Sequence, residues 1–156
     1  MTEKSYAKLD IAAQWGRLND SILALIDVVP DDKLDWSPRE DLWNSRRILA
    51  HVASTRHTWL EHAVRDGLET PDVLGGIRDK DGVKRQLQVS WERVERFLGD
   101  QAGLDKEYRG PRQDQSTAFS GHWIAFHLLE HDIHHRSDIF HYLALLEIEH
   151  PEVGTP

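Results

Sequence analysis

Four stretches of this chain repeat apolar residues at the three- and four-residue spacing of a buried helical stripe, and none sustains the period-two alternation of a strand. In the first, from about Ser5 to Val29, the stripe is Leu18, Ile22, Leu25 and Val29, and Pro30 stops it. The second, from about Asn44 to Asp66, carries Ile48, Val52, Thr55 and Trp59, with Gly67 as the expected C-terminal cap. The third, from about Asp81 to Leu98, carries Val83, Leu87, Trp91, Val94 and Leu98, and Gly99 ends it. The fourth runs from near Ser116 to about Leu146. Between the second and third, and again between the third and fourth, the chain is rich in Gly, Pro and charge and reads as loop. Four amphipathic segments of this length predict an all-α, four-helix bundle in which residues 1–156 form a single domain. The longer loops leave room for a crossover connection, and the pattern alone does not choose the topology.

Composition narrows the function. The formal net charge is −8 and no run of Lys or Arg exceeds two residues, Arg46–Arg47 being one such pair with acidic residues in the flanking sequence, so nucleic acid is not expected as a partner. No run reaches the roughly 18 apolar residues of a membrane helix, and the opening MTEKSYAKLD lacks a signal-peptide pattern; a cytoplasmic protein is the expectation. There is no cysteine, which removes disulfides, thiolate metal sites and a cysteine nucleophile. A metal site must therefore use histidine and carboxylate, and any thiol in the chemistry must arrive with a substrate.

The 10 histidines concentrate the information, five of them between residues 127 and 141. On a helical wheel His131 and His135 share the apolar face of the fourth segment with Ile124, Leu128, Tyr142 and Leu145. Their spacing of four stacks them about 6 Å apart along the axis, from where two imidazoles can converge on one ion. Asp138 follows on the same stripe. His127 and His134 lie on its flank, His141 further round, and His122 and His150 near the ends. A third ligand has to come from another helix, and His51 is the candidate because it shares a stripe with Ile48, Thr55 and Trp59. His62 shares that face but lies about 16 Å further along, and His57 is expected to point away. A single inward histidine is ordinarily a hydrogen-bonded core residue; three on facing stripes are harder to satisfy without an ion. A rival pattern, His131-Asp132-Ile133-His134-His135, imitates H-E-x-x-H with Asp132 as a hydrolytic base, but the sheet and cleft of such proteases have no counterpart in the sequence.

Two stretches carry a family resemblance. Trp43-Asn44-Ser45-Arg46-Arg47-Ile48-Leu49-Ala50-His51-Val52 resembles the motif W-s-x-r-x-l-l-x-H, and Glu130-His131-Asp132-Ile133-His134-His135-Arg136-Ser137-Asp138-Ile139 resembles E-H-x-x-H-H-R-G-Q-I. Both motifs belong to the DinB/YfiT-like superfamily of four-helix-bundle metalloproteins, and the order of helices is similar over nearly the whole chain. The resemblance implies one divalent ion held by His51, His131 and His135, and it implies a homodimer; three imidazoles do not distinguish zinc, nickel or iron. Its characterised members use low-molecular-weight thiols: bacillithiol S-transferases and mycothiol-dependent maleylpyruvate isomerase. Ser137 and Asp138 depart from the motif's Gly and Gln. Asp138 brings a carboxylate to the metal site as fourth ligand, as partner to an imidazole or as catalytic base, the alternative being a rim pair with Arg136 or another charge. The expected function is thiol transfer to a small electrophilic substrate, with Trp43, Trp59 and Tyr142 walling an apolar pocket. The alternatives are hydrolysis by activated water with Asp138 or Glu130 as base, and a non-enzymatic metal-binding stress-response or structural bundle.

Overall fold

The structure, a computed structural model, describes residues 10–110 and 117–151. Four long segments dominate it: α1 (Ile11–Val28), α2 (Ser45–Trp59), α4 (Lys80–Leu98) and α6 (Gly121–Leu145). Two short helices, α3 (Val73–Gly76) and α5 (Gln101–Asp105), and the strand β1 (Glu107–Arg109) lie in the stretches that read as loops; β1 pairs antiparallel with β2 (Ala118–Ser120), which takes the place of the expected start of the fourth helix. The ends of the first and fourth expected segments, residues 5–9 and Ser116, fall outside the described residues.

Each long helix starts where a polar side chain can take up an orphaned N–H. Asp10 accepts from Ala13 N–H, Asn44 from Arg47 N–H, Asp79 from Gly82 N–H and Ser120 from Trp123 N–H. The end of α2 differs from expectation. After Trp59 the helix widens into a π turn over Leu60–Val64 and closes on Arg65, whose φ of 60° places a non-glycine residue in the left-handed region. Gly67 comes two residues too late to cap it. At the start of α6 the requirement for glycine is steric: a Cβ on Gly121 would lie 2.6 Å from Leu104 Cα, so this helix begins flush against α5.

In the bundle α1 and α2 each pack against both α4 and α6. Around the bundle the order is α1, α4, α2, α6, so α1 lies diagonal to α2 and α4 to α6, a crossover arrangement that the long loops permitted. One apolar core fills the middle, from Trp15, Ile22 and Ile26 through Leu49, Val52 and Leu60 to Leu87, Val94, Leu128 and Ile139.

At the centre of that core sits a charged pair. Arg56 and Asp132 are both 0 % exposed; Asp132 Oδ2 accepts from Arg56 Nη2 at 2.7 Å, Arg56 Nε at 3.0 Å and Trp15 Nε1 at 2.7 Å. Arg56 Nη1 also donates to Asn19 Oδ1 at 3.0 Å and to the Leu87 carbonyl at 3.1 Å. Four helices thus meet on two side chains: α1 through Trp15 and Asn19, α2 through Arg56, α4 through Leu87 and α6 through Asp132. This corrects the wheel of α6. The core-facing stripe is Ile124, Leu128, Asp132, Ile139 and Leu143, turned past His131 and His135, and Leu145, expected inside, is 64 % exposed.

Candidate metal centre and its cleft

The rotation of α6 leaves His131 and His135 on the flank of the core, half-buried, where α6 faces α2. His51 meets them from α2. One ring nitrogen of each of the three lies within 4.8 Å of the others, a grouping able to hold a metal ion. His131 Nε2 is 3.0 Å from His51 Nε2, and the ring centroids of the three are 4.5 to 5.1 Å apart.

Two features show that this donor set fits a cation. Nitrogens about 2.1 Å from one tetrahedral ion lie about 3.4 Å apart, within a few tenths of an ångström of the His51–His131 separation. Burial, then repulsion from His135 and His51, pushes the His131 pKa down to about 3; burial, then His135 and Arg47, lowers that of His51. Both rings are thereby held neutral, with lone pairs free, as metal ligation requires.

Asp138 Oδ2 is 2.9 Å from His135 Nδ1 and 3.8 Å from His134 Nε2. Of the roles open to it, the geometry matches partner to an imidazole: a proton on His135 Nδ1 is donated to the carboxylate, and Nε2 keeps its lone pair. His134, His135 and Asp138 form a second grouping of possible ligands, but it shares His135 with the first and its His134 is largely exposed. Trp43 packs edge-on against His51 at 5.0 Å, with the Arg47 guanidinium 4.4 Å above its ring, and Tyr142 OH donates to the Trp43 carbonyl at 2.8 Å.

His51 and His131 also line a cleft of about 690 Å³ between α2 and α6. Its α2 side is Ser54, Thr55, Thr58 and Trp59; its other side is Phe119, Trp123 and His127, with Leu74, Gly110 and Thr117 at the rim. Of the three residues expected to wall an apolar pocket, Trp59 does so, whereas Trp43 and Tyr142 pack outside the cleft, behind His51. Phe119 and Trp123 went unnoticed as wall residues. The signal was a four-residue ladder, Phe119, Trp123, His127, His131 and His135, of which only the last two rungs were recognised as a pair.

The remaining histidines and acids divide clearly. Asp132 points away from the triad into the Arg56 pair, which removes it as a hydrolytic base. His57, expected to point away, is 1 % exposed: its Nδ1 accepts from Arg93 at 2.7 Å and its Nε2 donates to Gln86 at 3.2 Å. His62 is half-exposed beside Glu61, His122 pairs with Asp105, and Glu130, His141 and His150 are exposed.

A family model described as the DinB superfamily matches residues 14–139. Among solved structures, the chain is similar to a DinB-like protein from Bacillus subtilis, YjoA, with 16% sequence identity and a TM-score of 0.70 over 93% of this chain and 97% of that one. At that identity the likeness speaks for the fold alone. Comparison with curated protein sequences gives no match.

Proposed function

The chain belongs to the DinB superfamily, and on that premise we propose that it is a metal-dependent enzyme transferring a low-molecular-weight thiol to a small electrophilic substrate. One observation carries the reading: three imidazoles converge, and two of them, His51 and His131, line an aromatic-walled cleft large enough for a small molecule. His51, His131 and His135 would hold one divalent ion, and zinc, nickel and iron all suit three imidazoles. Such an ion supplies Lewis acidity that lowers the pKa of a thiol near it.

The chain's own residues do the rest. Asp138 fixes the tautomer and orientation of His135 through Nδ1. Trp43 packs against His51 and limits how its ring can turn. The cleft walls hold the acceptor beside the triad. Because the chain has no cysteine, the sulfur nucleophile has to enter with the cosubstrate. Hydrolysis is less well supported, since Glu130 is exposed and Asp138 is engaged by His135. No helix among the described residues is long and apolar enough to cross a membrane. We further propose a homodimer, on the family resemblance alone.

The test is conjugation of a panel of small thiols to a model electrophile by untagged, metal-loaded protein. Acceleration that requires metal and is abolished by His51→Ala supports the reading; equal rates with and without metal overturn it.

A further inference from the structure

The cleft has two facing ladders at four-residue spacing. On α2 they are His51, Thr55 and Trp59; opposite, β2 and α6 supply Phe119, Trp123, His127 and His131. The second ladder is a run of stacked rings. Phe119 and Trp123 have centroids 4.2 Å apart at 30°, and Trp123 and His127 are stacked at 5.0 Å with their planes 12° apart. Trp59 closes the run, edge-on to Phe119 at 5.6 Å and to His127 at 5.1 Å and tilted against Trp123 at 5.8 Å. Aromatics that merely fill a core are buried, yet Trp123 is 41 % exposed on this wall. At 1.5 Å per residue, His127 stands about 6 Å and Trp123 about 12 Å along the helix from His131.

Resting on the function proposed above, we infer that the acceptor substrate is a planar, conjugated molecule of one or two rings. Its flat faces meet the Trp59, Trp123 and His127 rings, whose quadrupoles favour offset and edge-to-face partners over saturated ones of equal bulk. Its polar edge meets the hydroxyls of Ser54, Thr55 and Thr58. A molecule of that length bridges the Trp123 rung and the triad, placing a conjugated carbon beside the incoming sulfur. Addition then forms the C–S bond, breaks the π bond and leaves the thiol proton on the neighbouring carbon, so no further reactant is needed.

Binding is measured by calorimetry on the metal-free protein, without thiol, using 2-naphthol and its saturated counterpart decahydro-2-naphthol. The expected result is at least about tenfold tighter binding of naphthol, a preference lost in Trp123→Leu and kept in Trp123→Phe. Equal affinities, no binding of naphthol, or a preference untouched by Trp123→Leu would overturn the inference. Planar binding without thiol turnover would sink the proposed reaction and leave this inference standing. Turnover indifferent to acceptor shape would do the reverse.

Discussion

Replacing Asp132 by Asn removes one charge from the centre of the bundle at almost constant volume. In the native protein its Oδ2 takes three donors at 2.7 to 3.0 Å, two of them from Arg56, and neither partner is exposed. The Asn side chain can still accept a hydrogen bond, but the guanidinium loses its counter-charge where water cannot replace it. Leaving such a charge buried and unpaired costs about 3–5 kcal/mol, a large share of the roughly 5–15 kcal/mol that holds a domain folded. In urea, followed by circular dichroism, the midpoint should fall with little change in slope, and the melting temperature should drop by about 10 °C. The pair Asp132→Leu with Arg56→Met should recover most of the loss, because a well-packed apolar pair of similar size is close to neutral. An Asp132→Asn protein within about 1 kcal/mol of wild type would refute the claim that this pair fastens the four helices together.

Two further outcomes follow from groups around the site. Burial, then Arg93, lowers the His57 pKa to about 4 from 6.5, so between those values the unfolded chain binds a proton that the folded one does not. Stability from this group is therefore complete above about pH 6.5 and is lost as pH falls toward 4, by up to about 3 kcal/mol; unfolding free energies of wild type and His57→Gln should converge across that window, and parallel curves would count against it. Asp138→Asn should weaken divalent-metal affinity about 10- to 100-fold through His135 while leaving the melting temperature of the metal-free protein nearly unchanged. Unaltered affinity in a chelator competition would remove Asp138 from the site.

The helices and the ligand pair were legible because their signals are local. Caps, prolines and a four-residue apolar spacing act within one turn, and His131 and His135 needed only to share a face. What stayed hidden depends on partners distant in sequence. Arg56 and Asp132 lie 76 positions apart and nothing local marks either as internal; only the packing of α2 against α6 brings them together inside. That pair in turn rotates α6, exposing Leu145 and moving the histidines from the core to its flank. His57 was misjudged because α2 is buried on both its α4 and α6 sides, so no single stripe describes it. The π turn after Trp59 shifted the cap from Gly67 to Arg65. Phe119 keeps the four-residue register of the ladder, yet it sits on a strand, one residue before the cap of α6, where the sequence pattern continues the helix.

The central claim is that His51, His131 and His135 hold one divalent ion, and elemental analysis of protein purified without a polyhistidine tag tests it most directly. Wild type and His134→Ala should carry one transition-metal ion per chain, and His51→Ala, His131→Ala and His135→Ala proteins that remain folded should lose it. Wild-type protein that retains no metal after incubation with zinc, nickel or iron, or single-histidine variants that retain as much as wild type, would contradict it.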